Sequence, residues 1–395
     1  MKVCSSTNGP SVFRQVCHLT CCAVLLNSSL SPRLVLPVSP HFGDLVNAHY
    51  ATSAPLQPAC FFRPETAEQL AMGLSMIVGS DDGSPQCQFA IRGGGHAPWA
   101  GAAGVQGGVT IDMSPMNSIT YTPRTRSVRI MGGAKWGDVY KTLQPYGIAV
   151  TGGRADTVGV AGLVIGGGLS YFANEYGLAC DNVLSFEVVL SDGRVILVNH
   201  DSHPDLFRAL KGGGNNLGIV TQIELRAFTQ GLLWGGLIGH PPESITEQNQ
   251  ALVELTGQLG SEYHAQIVTF WAYNGKSKST VVASGLQHTL GLENPPVFQR
   301  FLSIPQTFST LRAASIYDLM METAPPPGRR ALFLTLTFAN DVEVLEYLRH
   351  VHNESISAIA AQVRSADWDF ISFLQPFPAK LGTGSLKKEN ILGLD

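Results

Sequence analysis

Residues 93–96 of this chain read Gly93-Gly94-Gly95-His96, directly after Phe89-Ala90-Ile91-Arg92. Three consecutive glycines permit a backbone path that residues with a Cβ resist. Amides turned inward on such a path make a concave anion site, suited to a pyrophosphate. A histidine at the rim reaches whatever the anion carries. A glycine run also serves as a plain turn, so the tetrad gains its meaning from two later segments. Residues 151–168 hold seven glycines in 18 positions, with small or branched apolar residues between them. Residues 211–221, Lys-Gly-Gly-Gly-Asn-Asn-Leu-Gly-Ile-Val-Thr, run into an apolar stretch. Both let backbone lie against an elongated ligand. Neither matches GxGxxG after a strand with an acidic residue about 20 positions on, which speaks against a nicotinamide site. No GxxxxGK[ST] or GxSxG is present, which speaks against a nucleotide triphosphatase and an elbow-type hydrolase.

The 395 residues are 44% hydrophobic and 14% charged, enough to bury substantial cores and to form two domains. A net charge of −4 leaves no basic footprint for nucleic acid. No window reaches the roughly 20 apolar residues of a membrane span.

Four of the seven cysteines, Cys4, Cys17, Cys21 and Cys22, crowd the first 22 residues, and no CxxC pair suggests zinc. A disulfide from Cys21 or Cys22 to Cys60 fits an exported chain, and reduced buried thiols fit a retained one. Asn27-Ser28-Ser29 and Asn353-Glu354-Ser355 match the glycosylation sequon, as a glycoprotein would. The apolar stretch 19–26 is short and interrupted, so residues 1 to about 30 read as a poorly ordered lead rather than a clear signal peptide. Secretion stays open.

Periodicity and turn signals predict strands at 60–64 (an edge strand), 89–92, 109–113 (half-buried), 127–131 and 218–228, and a hairpin over 186–199. Helices are expected at 67–78 behind the cap Thr66, at 136–145 and at 205–211. Composition shifts near Gln230. Beyond it, helices are expected at 243–259, 296–302, 316–322 and 342–363. Strands are expected there at 266–272, 331–338 and 368–374, with a loop at 325–328.

The runs 91–97, 107–113, 158–168, 182–194 and 212–221 resemble the flavin domain of the vanillyl-alcohol oxidase superfamily. Within it, the chain looks like the berberine-bridge-enzyme-like FAD-linked oxidoreductases of fungal secondary-metabolite clusters. The resemblance is closest over residues 53–228. It implies an α+β fold: a two-subdomain PCMH-type FAD-binding domain at 53–229 and an α+β substrate domain with an antiparallel sheet at 230–395. Residues 1–52 would be a partly disordered lead.

The same resemblance places the family's covalent flavin ligand at His96. Gly93, Gly94 and Gly95 would cradle the pyrophosphate, and Arg92 would help to set the turn. Thr157, Gly159, Gly162, Gly167 and Gly168 would line the cofactor path, and Ile219 and Val220 would meet the adenine side. Ala155 stands where bicovalent members carry a cysteine, so His96 would be the only tether. Cys180 is expected to be a buried thiol. Family members continue past the point where this sequence ends, 390–395, with a stretch that returns to the flavin domain and carries an Asn-Tyr motif.

The family's catalytic base is a tyrosine or carboxylate on the substrate-domain sheet or the C-terminal segment. Here the candidates are Tyr273 and Gln375, and Trp271, Phe370 and Phe373 are expected in the core. His350 and His352, two apart on a helix, are expected at the surface, with no metal site. The expected activity is removal of a hydride from a small secondary metabolite, with dioxygen or another acceptor reoxidising the flavin. The alternative is a catalytically silent FAD-binding protein or partner subunit.

Overall fold

The computed structural model describes residues 21–79, 87–323, 327–378, 381 and 390–394. Cys4, Cys17 and the expected lead over 1–20 lie outside the described residues, as does part of the 325–328 loop. Three sheets carry three hydrophobic cores.

The first sheet has the order β1(Leu34–Val35), β2(Cys60–Phe62), β4(Val109–Asp112), β3(Phe89–Arg92), with β2, β4 and β3 parallel. The 60–62 segment was expected at an edge. It lies inside the sheet, all three residues buried, because Leu34 and Val35 pair with it. Strand β4 is likewise buried throughout rather than half-buried, being flanked by parallel strands on both sides. The helix Ala67–Val78 covers this sheet, its first turn capped by Thr66 Oγ1 accepting from the Gln69 amide at 3.2 Å. Residues 21–30, expected to be poorly ordered, contribute Cys21, Cys22, Leu25 and Leu30 to the first core. Disulfides Cys22–Cys60 and Cys21–Cys87 tie them down. The Cys22 pairing was among those expected, and the Cys87 pairing was not.

The second sheet is antiparallel, in the order β5(Ile119–Thr122), β6(Ser127–Met131), β10(Ile219–Arg226), β8(Val183–Val189), β9(Val195–Asn199). Strands β8 and β9 form the expected hairpin. Helices Trp136–Leu143, Val160–Ile165, Ala173–Tyr176, Pro204–Leu210 and Ile316–Glu322 contribute to this core. Short strands β7(Ile148–Ala149) and β11(Phe228–Thr229) pair beside it.

The third sheet runs β15(Phe308–Ser309), β12(Leu233–His240), β14(Ser279–His288), β13(Ala265–Asn274), β17(Asp369–Leu374), with β16(Arg312–Ala314) also on β12. Helices Ile245–Gln258 and Val342–Gln362 pack on one of its faces. The strand expected at 331–338 does not form: these residues have no sheet pairing, and Leu332, Leu334 and Leu336 are 85, 86 and 81% exposed. Strands β12 and β14 fill the sheet instead, and glycines in β12 hid it from the pattern. The two halves share packing, since Leu233, Ala314, Ile316, Leu319 and Met320 join the second core.

Candidate functional site

The tetrad follows β3, and its anchor is ionic. Arg92 and Asp112 end neighbouring parallel strands in register. Both are buried, and their side chains pair at 3.4 Å, with Arg63 reaching the other Asp112 oxygen at 3.0 Å. Arg92 also donates to Leu45 O and lies over the Phe61 ring. Its guanidinium therefore sets the turn from behind.

The loop then turns through Gly95 at φ +63°. Gly94 meets Gly159 backbone to backbone: a Cβ at Gly94 would fall 2.3 Å from the Gly159 nitrogen, and one at Gly159 would fall 2.4 Å from the Gly94 nitrogen. The first and second glycine segments are thus in contact, which is what a shared ligand requires. Gly162, by contrast, has open space at its Cβ position.

His96 stands at the rim. Its ring stacks on Tyr50, and its Nε2 is buried with no hydrogen-bond partner among the described residues. Burial holds its pKa below the usual histidine value, against an opposing pull from Asp156. The imidazole is therefore neutral at physiological pH and keeps a free lone pair. Asp156 follows Ala155, so His96 and residue 155 belong to one end of the site. Thr151 and Thr157 on the second segment also have buried, unpartnered hydroxyls. Orphaned polar atoms along glycine backbone fit an elongated polar cofactor better than a dry core does.

The third segment joins the end of the second, the Gly212 amide donating to Ile165 O at 3.1 Å. Gly167 and Gly168 have φ of +105° and +83°, and Gly212 has +113°. Leu392 sits between the second and third segments, its methyls 2.9 and 2.7 Å from where Cβ atoms at Gly167 and Gly212 would lie. Ile391 donates to Lys211 O at 3.2 Å, and Asn390 to Asp181 at 2.8 Å. Ile219 and Val220 begin β10 paired with Val189 and Val188, with side chains in the first and second cores respectively.

The candidate base residues separate. Tyr273 shares the face of Trp271, which packs on His352 of the long helix, and its ring contacts Trp368, so it looks away from the glycine segments. Gln375 lies past β17, and its Oε1 accepts from Arg154 at 2.9 Å. Phe373, expected in the core, is 58% exposed on the sheet's open face beside Phe270, whereas Trp271 is core as expected. His352, expected at the surface, is buried and bonds Ser372 Oγ at 2.8 Å, whereas His350 is exposed. A helical phase through Leu345, Leu348 and His352 carries that signal. Cys180 is a buried free thiol, its pKa pushed up to about 12 by burial. Tyr50, Asp112 and the reach of Arg154 went unseen in the sequence, since Tyr50 depends on His96 46 positions on, Asp112 on Arg92 and Arg63 20 and 49 positions back, and Arg154 on Gln375. Among the described residues no metal-binding group forms, and no helix is long and apolar enough to cross a membrane.

Residues 58–199 match an FAD binding domain family. The FAD-dependent monooxygenase sdcF of Emericella nidulans is 35% identical over 95% of this chain and 78% of that protein. Among solved structures, 6-hydroxy-D-nicotine oxidase from Arthrobacter nicotinovorans is 27% identical with a TM-score of 0.66, covering 74% of this chain and 64% of that one. Glucooligosaccharide oxidase from Acremonium strictum, described with a 6-S-cysteinyl, 8α-N1-histidyl FAD, is 21% identical with a TM-score of 0.60, covering 75% and 63%. With the glycine cradle, the ionic anchor and the neutral rim histidine in place, these likenesses settle the family: the chain is an FAD-dependent oxidoreductase of fungal secondary-metabolite type and belongs to the berberine-bridge-enzyme-like branch of the vanillyl-alcohol oxidase superfamily.

Proposed function

We propose that this protein oxidises a small secondary metabolite by removing a hydride at a carbon held over FAD, with the cofactor tethered through His96 alone. The single observation that carries the tether is the buried, unpartnered Nε2 of His96 beside the Gly94–Gly159 contact. Flavin supplies the two-electron chemistry when bound. The chain's residues bind and orient. The amides of Gly93, Gly94 and Gly95 would hold the pyrophosphate, Thr157, Gly159, Gly162, Gly167 and Gly168 would line the path, and Ile219 and Val220 would border the adenine side. A neutral imidazole would be the form able to bond the flavin's 8α methyl carbon. The glucooligosaccharide oxidase, whose flavin carries both a histidyl and a cysteinyl link, supports the histidyl part. Ala155 leaves no sulfur for the other.

The open face of the third sheet, with Phe270 and Phe373, offers a wall for the substrate. Dioxygen or another acceptor completes the cycle. The test is a denaturing gel of purified protein. A fluorescent flavin band that survives acid precipitation, and is lost in His96→Ala, is expected. A band surviving in His96→Ala overturns the tether. Bound flavin that none of a panel of small alcohols, amines and phenols reduces under anaerobic conditions favours the silent-protein alternative.

A further inference from the structure

We propose that Arg154 and Gln375 form an oxyanion-binding site for the substrate, so that the molecule oxidised here carries a negatively charged oxygen (a carboxylate, enolate or phenolate) on or conjugated to a planar group. The proposal rests on the flavin reading above for its place beside the ring, and on the following geometry for its chemistry.

Arg154 follows Gly152-Gly153, whose backbone lies so close to Trp136 that a Cβ at Gly152 would fall 2.0 Å from the indole. That contact fixes where the arginine emerges. Its Nη2 crosses from the flavin half to the substrate half and donates to Gln375 Oε1 at 2.9 Å. Gln375 lies just past β17, two residues beyond Phe373, which pairs with Phe270 on the open face of the third sheet. Asp156, two residues from Arg154, acts on His96 at the flavin end. The guanidinium is therefore placed between the cofactor end and the aromatic wall.

What it lacks is a counter-charge. A guanidinium has five N–H donors. Among the described residues, Gln375 is the only hydrogen-bond partner, and it is neutral. The side chains acting on Arg154 through space are Tyr140 and Tyr171, both buried and both with pKa values raised by that burial, hence neutral. Glu322 lies close enough to act on Tyr171, but its oxygens are taken by Thr310 and Arg312. Asp156 is not among the groups that bear on Arg154. Burial lowers the guanidinium pKa, the mark of a charge left short of compensation. Arg154 is half-buried, and a partly desolvated cation without a carboxylate is a ready partner for an anion that arrives with the ligand. Arginine's planar fork matches a two-oxygen or conjugated anion, and an aromatic ring two residues before Gln375, Phe373, suits the plane to which that oxygen is attached.

The experiment uses benzoate and benzamide, which share size and shape and differ in charge. Each is titrated into the purified holoprotein by calorimetry. A hydrogen bond to a charged partner predicts that benzoate binds roughly tenfold to hundredfold more tightly than benzamide. Arg154→Met is expected to erase that preference. Gln375→Glu, which puts a carboxylate of the protein's own on the guanidinium, is expected to erase it too, and it decides the matter if Arg154→Met fails to fold. Equal affinities in the wild type, no benzoate binding, or an unchanged preference in folded Arg154→Met overturns the site. So does loss of flavin from Arg154→Met with the benzoate preference intact, which would make Arg154 a cofactor ligand. Acid-released flavin is measured in the same samples. Absence of flavin from both the acid supernatant and the precipitated wild-type protein sinks the flavin reading, while the benzoate comparison still decides the anion site.

Discussion

Tyr50 lies flat on His96, the ring centroids 4.1 Å apart and the planes 14° from parallel. The Tyr50 amide also donates to Gly95 O at 3.0 Å, so the tyrosine is fixed to the same loop that presents the histidine. The stack leaves the imidazole one edge free and restricts its rotation. Tyr50→Ala is expected to slow covalent flavin attachment by about tenfold, the worth of one aromatic pair, while Tyr50→Phe attaches normally. Timed addition of FAD to apoprotein, read as acid-stable flavin fluorescence, distinguishes the two. Equal rates in wild type and Tyr50→Ala would mean the stack does not orient the ring.

Gly94 and Gly159 predict a sharper loss. Alanine at either brings a methyl within 2.5 Å of opposing backbone, which a side-chain rotation cannot relieve. Gly94→Ala and Gly159→Ala should each cost at least about 2 kcal/mol of stability and lose retained flavin. Gly162→Ala, where the space is open, is the matched control. Chemical denaturation with parallel flavin quantitation would show whether the three behave alike, which would refute the contact.

Acid should loosen the fold earlier than carboxylates alone would. His49, His96, His240, His288 and His352 all have pKa values lowered from 6.5, burial being the first cause for each. The folded protein therefore binds fewer protons than the unfolded chain once pH falls below about 6.5. Their stabilisation is complete above that value and is lost as pH drops toward the depressed pKa values. The slope is about 1.4 kcal/mol per pH unit for each proton taken up. Melting temperatures between pH 7.5 and 5 should be flat above 6.5 and decline below it. A decline beginning only below pH 5 would contradict the burial of these rings.

The two disulfides close separations of 66 and 38 residues. Reduction should lower stability by roughly 2–4 kcal/mol for each bond and free residues 21–30 from the first sheet. Thermal melts with and without reductant, with non-reducing peptide maps joining Cys87 and Cys60 to the fragment holding Cys21 and Cys22, test this. A map showing four free thiols in protein from an oxidising host would be decisive against the pairing.

How far the sequence carries the reader differs from element to element. The helix behind Thr66, the strand into the tetrad and the hairpin over residues 186–199 were legible because their signals are local: a cap, an apolar-basic run, a turn residue. The tetrad and its neighbours were legible as a set through spacing and family likeness. The 331–338 run alternates like a strand, yet a strand exists only with a partner, and partners are a property of the whole sheet. Cysteine pairing is open for the same reason, since four cysteines allow three connectivities. Arg154 was read as one residue in a glycine stretch, and its meaning comes from Gln375, 221 positions on.

In solution, Leu332, Phe333, Leu334, Leu336 and Phe338 meet water along one ribbon of backbone, with no neighbouring strand among the described residues. Such a ribbon recruits strands from other molecules. The yield of soluble protein will then be governed by these few residues rather than by the strength of either core, and a charge at Leu334 should act as a gatekeeper that raises it.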